Sequence, residues 1–156
     1  MNILQRGVLI LAALVPAWAV ATPPLEIADA WIPQAPPGAS MFAGYVTLKN
    51  SGADSVRIES ATSPAFGDVS IHETTLVDGV SRMRQLEHVD IAPGGQVRFE
   101  PGGRHLMLMQ PKSAIEPGAR IEVAFVLVDG RRVAATFVVR AADGERAVSQ
   151  DHAHHP

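Results

Sequence analysis

Short runs of strand-forming residues, each closed by a turn signal, limit what this chain can fold into. Pro-Gly and Asp-Gly pairs break the sequence at close intervals, and no window of ten or more residues carries the apolar stripe of a helix. The runs between the breaks are rich in β-branched and aromatic residues: Phe42–Asn50, Ser55–Ala61, Ile71–Val77, Val80–Leu86, Arg120–Val128 and Arg132–Arg140. Such runs with regular turns predict an all-β sandwich or barrel.

Two of the turns predict hairpins. Asp129-Gly130 lies between the last two runs, and Asp78-Gly79 lies between Ile71–Val77 and Val80–Leu86. Asp-Gly is a preferred sequence for a two-residue hairpin turn, because both positions need a positive φ. Within Arg120–Val128, apolar side chains alternate with Arg120, Glu122 and Ala124, the period of a half-buried strand: Ile121, Val123 and Phe125.

The first residues have the order of a secretory signal peptide. A basic start, Met1–Arg6, precedes the apolar run Gly7–Val15, and Ala19-Val20-Ala21 predicts cleavage before Thr22, with Ala17-Trp18-Ala19 as the competing site. The apolar run is shorter than the ~20 residues of a spanning helix, which disfavours an uncleaved anchor and stable membrane insertion. With no cysteine near the cleavage site, no lipid anchor is expected there. We expect a signal peptide at 1–21, one exported β domain at 22–140, and a flexible polar tail at 141–156.

Composition excludes several functions. The chain has no cysteine, which rules out a cysteine nucleophile, a CxxC redox pair and the cysteine-ligated site of an electron-transfer cupredoxin. The net charge is −3 and no basic cluster is present, so nucleic acid is not an expected partner. Neither a Ser/His/Asp arrangement nor a pair of carboxylates with recognisable spacing suggests an enzyme.

Two histidines and two methionines form the spacing H-x10-M-x21-H-x-M, at His72, Met83, His105 and Met107. Thioether sulfur is a soft, uncharged ligand that suits Cu(I) and binds Zn²⁺ or Mg²⁺ poorly. If the four side chains converge, the expected metal is therefore monovalent copper.

Strand geometry allows the four residues to form two pairs. The Asp78-Gly79 turn predicts Val77 opposite Val80, Thr74 opposite Met83, and His72 opposite Gln85. His72 and Met83 then share a face as diagonal neighbours. His105 and Met107 also share a face, while Leu106 and Leu108 fill the other. Spacing alone leaves open whether the two pairs face each other.

Each residue also has a simpler interpretation. A single strand histidine is usually a surface or hydrogen-bonded residue, and a strand methionine is usually core filler. Met109 shares the face of His105 and is a candidate auxiliary ligand, or it covers the site. Met41, just before a strand, is a further candidate sulfur, although core or loop packing is the favoured interpretation. His88 is expected on a turn, exposed to solvent.

These residues resemble the PCuAC family of periplasmic copper chaperones. The four-residue spacing matches the signature of that family, and three further blocks are similar: Asp29–Ile32, Gly44–Asn50 and Pro101–Met109. The similarity runs from about Leu25 to Arg140, and only Gln110-Pro111 is less typical.

The resemblance implies a cupredoxin-like Greek-key β-sandwich. It also implies that His72, Met83, His105 and Met107 bind Cu(I) and that copper is delivered towards cytochrome c oxidase assembly. A Sco-type assembly factor or the copper-site subunit of the oxidase would be the partner, in the periplasm. General periplasmic copper storage or tolerance is one alternative, and a non-metal structural β-sandwich is the other.

The tail carries three more histidines, His152, His154 and His155. Imidazole is a good Cu(II) ligand, so the tail is a candidate site for oxidised copper. The alternative is a solvated tail with weak, unspecific metal affinity, or a fragment of a purification sequence.

Overall fold

The computed structural model describes residues 25–141, and its regular structure is entirely β-strand. Ten strands follow one another: β1 Leu25–Pro33, β2 Met41–Asn50, β3 Val56–Thr62, β4 Phe66–Val77, β5 Val80–Gln85, β6 Val89–Ile91, β7 Gln96–Phe99, β8 Arg104–Pro111, β9 Arg120–Leu127 and β10 Arg132–Arg140. Within residues 25–141 no helix is long and apolar enough to cross a membrane. The predicted all-β class is confirmed.

The strands form one open sheet in the order β5-β4-β8-β7-β2-β1-β10-β9-β3-β6, with β8 also paired to β2. The β1–β10 and β7–β8 pairs are parallel, and the others are antiparallel. One face of the sheet carries the apolar core, whose largest fully buried side chains include Phe125, Phe137, Ile32, Leu48, Ile58, Leu106 and Leu108. Alternate residues of β4, β8 and β2 therefore point away from this core.

Most strand predictions agree with the structure within a few residues, and three details differ. β4 begins at Phe66, five residues earlier than predicted, because its first half pairs with β8. Met41 is the first residue of β2 and not a residue before the strand, since it pairs with Met109. Ala124 was expected on the exposed side of its strand but is only 8% exposed. Ala124 pairs with Thr62 of β3 on one side and Ala134 of β10 on the other.

The hairpin of β4 and β5 has the predicted register. Val77 pairs with Val80, Thr74 with Met83, and His72 with Gln85. Asp78 has φ 52° and Gly79 has φ 76°, and a type I′ two-residue turn requires a positive φ at both positions. The turn therefore fixes which residues of β5 share a face with His72.

Replacing Gly79 by valine should destabilise the protein by about 1–2 kcal/mol, because a β-branched residue is strained at positive φ. A Cβ at this position would meet no other heavy atom within 4 Å, so the cost is in the backbone alone. Asp78→Asn is the matched control, since asparagine tolerates the left-handed conformation. Urea unfolding measures both variants, and a valine variant as stable as the control would contradict the assignment of the turn.

Candidate metal centre

His72 and His105 lie side by side on neighbouring strands. They are directly opposite each other in the antiparallel β4–β8 pair. Their rings are stacked, with centroids 5.9 Å apart and planes inclined by 28°. Both side chains project from the face opposite the core and are half-buried. The question that spacing left open is answered here, because the strand with His105 packs directly against the hairpin with His72.

The two methionines lie on either side of this histidine pair. Met107 is opposite Ser70 and two residues along β8 from His105, and it is half-buried. Met83 is opposite Thr74 on β5, the edge strand of the sheet, and it is 54% exposed. All four side chains share one face, with Met83 as the outermost.

The His105 ring is held by a backbone turn. Its Nδ1 lies 3.2 Å from the carbonyl oxygen of Gly103. A carbonyl only accepts hydrogen bonds, so Nδ1 carries a proton, and in the neutral tautomer the lone pair is on Nε2. The same carbonyl accepts a hydrogen bond from the Thr74 amide at 3.0 Å, which joins β4 to the turn before β8. This arrangement orients the imidazole on the outer face, as second-shell partners of metal-binding histidines do.

His72 has one ring nitrogen paired and one without a partner. Its Nε2 is 3.0 Å from the Ser70 hydroxyl, while Nδ1 is buried and has no hydrogen-bond partner among residues 25–141. When Nε2–H donates to Ser70, Nδ1 presents a free lone pair. A buried polar atom without a partner is unfavourable unless something else binds it. A metal ion would satisfy it.

Burial lowers the pKa of His72 below its ordinary value, and a positive charge on His105 would lower it further, against an opposing effect of Asp68. Desolvation disfavours the charged imidazolium, so His72 is neutral at pH 7 and available as a ligand. A proton therefore competes with a metal for this imidazole at a lower pH than it would for an ordinary histidine.

The donor set of this face is soft. Residues 25–141 contain no group of three or more histidine, cysteine, aspartate or glutamate side chains that could hold a metal ion. The side chains of Met83 and Met107 share this face with the two histidines, so thioethers are available to complete the coordination of an ion bound there. Imidazole with thioether suits Cu(I), whereas Ca²⁺ and Mg²⁺ require oxygen ligands.

Ion pairs on the reverse face hold the same three strands together. The Glu73 carboxylate, 16% exposed, is 2.7 Å from Arg84 Nη2 on β5 and 3.2 Å from Arg104 Nε on β8. Glu73 thus links the strand of Met83 to the strand of His105. Sequence reasoning missed Glu73, Ser70 and the Gly103 carbonyl. Only Ser70 had a signal, its position two residues before His72 on the same face.

The auxiliary methionines lie on the same face. Met109 is opposite Asp68 on β4 and opposite Met41 on β2. Met41 is 50% exposed, so the favoured interpretation of core or loop packing was wrong. The core positions beside it belong to Phe42 and Leu108. His88 is exposed as predicted and lies 3.6 Å from Asp90. The predicted signal peptide and the histidines His152, His154 and His155 lie outside the described residues.

The fold is similar to that of solved copper-protein domains. The apo PCuAC domain of PmoF2 superposes with a TM-score of 0.64 at 21% identity, over 79% of this chain and 94% of that domain. The copper-bound PCuAC domain of PmoF2 superposes equally well, at 21% identity over 78% of this chain and 96% of that domain. CuI-DR1885 from Deinococcus radiodurans gives 0.62 at 24% identity, over 78% of this chain and 81% of that one. The protein therefore has the cupredoxin-like β fold of PCuAC domains.

Sequence comparison assigns the family. Residues 25–139 match the family described as "Putative lipoprotein LpqE-like", and the chain belongs to this LpqE-like family. It is 32% identical to "Putative lipoprotein Lxx21020" of Leifsonia xyli over 107 residues, 68% of this chain and 63% of that protein. It is also 32% identical to "Uncharacterized protein RP573" of Rickettsia prowazekii over 91 residues, 58% of this chain and 50% of that protein. The match thus spans between half and two thirds of the length of these relatives.

Proposed function

We propose that this protein is a copper chaperone that carries Cu(I) on His72, Met83, His105 and Met107. The observation that carries the proposal is the direct pairing of His72 with His105, with Met107 two residues along β8 from His105 on the same face. Two solved structures of the same fold are described as copper-bound PCuAC and as CuI-DR1885, which supports the choice of metal. The similarity in fold to PCuAC domains supports a carrier role and not an enzymatic one.

The exposure of the ligands suits transfer. The imidazoles and Met107 are half-buried, whereas Met83 is 54% exposed on an edge strand. An acceptor that approaches this face meets the Met83 thioether first and can replace it before the other three ligands release copper. Because all four ligands are neutral, a thiolate-containing acceptor should bind Cu(I) more tightly, and transfer then runs downhill.

The proposed location is the periplasm, after removal of the signal peptide, and the proposed destination is cytochrome c oxidase assembly. The sequence of the first residues and the lipoprotein descriptions of the family and of the Leifsonia relative support an exported protein. A Sco-type assembly factor or the copper-site subunit of the oxidase is the proposed acceptor. Copper storage or tolerance uses the same ligands but predicts no transfer to such an acceptor.

A Cu(I) competition titration against a chromophoric chelator tests the site. Met107→Leu should weaken Cu(I) binding by about 10-fold or more, since a thioether ligand is replaced by an apolar side chain of similar volume. Met83→Leu should weaken it less and speed the loss of copper to a chelator, because this ligand is the outermost. The combined variant should lose more Cu(I) affinity than either single variant.

Met41→Leu is the matched control, because Met41 lies on the same face but outside the four-residue set. It should leave the tightest Cu(I) binding step unchanged. If Met83→Leu and Met107→Leu both retain the affinity of the unmodified protein, the copper site is not this one and the structural-domain alternative stands.

A further inference from the structure

A second set of soft ligands lies on the same face, one row away from the histidine pair. Met109 of β8 is directly opposite Met41 of β2 on one side and Asp68 of β4 on the other. The two methionines project away from the core, because their chain neighbours Phe42 and Leu108 are buried in it. Asp68 pairs with Met109 and is exposed.

These methionines do not serve the core. Met41 is 50% exposed, and Met109 is half-buried on the outer face. Methionine normally fills irregular gaps in an apolar interior. Two thioethers paired across strands on an outer face have no such packing role.

Register brings the two sulfurs within reach of one ion. Side chains directly opposite in an antiparallel pair have Cβ atoms about 4.5–5.5 Å apart, and each methionine extends beyond its Cβ by three further atoms. The Asp68 carboxylate, on the other side of Met109, is exposed and interacts electrostatically with His72. It is placed to contribute a negative oxygen. The donor set is two neutral sulfurs and one carboxylate.

We propose that Met41 and Met109, with Asp68, form a second and weaker site for a soft monovalent cation, Cu(I) or Ag(I). Thioethers select such ions over harder divalent ones, and the carboxylate balances the single positive charge. The site is weaker than the first because it lacks imidazole. Its three ligands belong to the row of the sheet next to Met107, and none of them is one of the four residues of the proposed Cu(I) site.

This proposal extends the proposed function, but it rests on the register of Met41 and Met109 and not on copper binding by the histidines. A metal held here lies next to Met107.

Methyl-labelled methionine makes the site directly observable by NMR. The full chain is labelled at its methionine methyl carbons and titrated with Ag(I), which is a redox-inert probe, in a buffer free of chloride and thiols. The methyl signals of Met83 and Met107 should shift with the first equivalent of Ag(I). Those of Met41 and Met109 should shift with a later equivalent. Silver bound by histidines elsewhere in the chain leaves the methionine methyl signals in place.

Variants separate the two sites. Met41→Leu with Met109→Leu should abolish the later step and keep the first, and Asp68→Asn should weaken the later step several-fold. In Met83→Leu with Met107→Leu, the Met41 and Met109 signals should still respond, so this site is tested even if the proposed Cu(I) site fails.

Two results would overturn the second site. In one, the Met41 and Met109 signals stay unmoved at high excess of Ag(I). In the other, they shift in the first equivalent together with Met83 and Met107, which would make all four sulfurs parts of a single site.

Discussion

Replacing His72 and His105 by alanine together is expected to lower Cu(I) affinity by more than about 100-fold, because loss of a mere second-shell partner already costs about 10–100-fold. The two rings are stacked at 5.9 Å on adjacent strands and supply the only imidazoles of this face among residues 25–141. Their removal leaves only the two thioethers of the proposed four-ligand set. Chelator competition measures the affinity, and circular dichroism checks that the variant is folded.

The matched control for the histidine variants is His88→Ala, which removes an exposed histidine beside Asp90. It should bind Cu(I) as the unmodified protein does. The pH dependence gives a further check. Since burial lowers the pKa of His72, protons compete with the metal at this ligand at a lower pH than at an ordinary imidazole, and Cu(I) affinity should fall as the pH is lowered. A double-alanine variant with unaltered affinity would move the copper site elsewhere in the chain.

Replacing Asn50 by aspartate is expected to lower the free energy of unfolding by about 3–5 kcal/mol at pH 7.5, a large part of the stability of a small domain. Asn50 is 0% exposed and is the one fully buried polar side chain of residues 25–141. Its Nδ2 donates to the carbonyls of Asp54, Ile91 and Ala92 at 2.7, 3.0 and 3.2 Å, respectively. An aspartate of the same shape would direct a negative oxygen at these carbonyls.

The decrease in the free energy of unfolding caused by Asn50→Asp should depend on pH. Burial among acceptors raises the pKa of the introduced carboxyl above its unfolded value, so the destabilisation is complete above the folded pKa and lessens as the pH falls through it. Urea unfolding at pH 7.5 and pH 5 compares the variant with the unmodified protein. Asp54→Asn is the control, because Asn50 uses only the backbone carbonyl of that residue. A variant within about 1 kcal/mol of the control at both pH values would contradict the role assigned to Asn50.

Local sequence patterns predicted a large part of this molecule. The Asp78-Gly79 pair predicted the β4–β5 register, because only a short list of residues adopts two successive positive φ angles. Alternation predicted that His105 and Met107 share a face, with Leu106 and Leu108 buried on the other. Both predictions depend on interactions between residues close in the sequence.

Predictions for residues far apart in sequence were incomplete. The position of Met41 was misjudged because the residues preceding it gave no strand signal, and its pairing partner Met109 lies 68 positions away. Glu73 was missed for the same reason. Its role comes from ion pairs with Arg84 on β5 and Arg104 on β8, which no local pattern contains.

By itself, the sequence determined which residues have metal-binding chemistry, that no thiolate competes with them, and which of them share a face within each hairpin or strand. These properties follow from side-chain type and from the two-residue period of a strand. Only the tertiary structure decided that β8 lies against β4, and hence that His72 meets His105 and Met109 meets Met41. Strand order in a sheet is set by packing of the whole core, and core packing is a property of many distant residues at once.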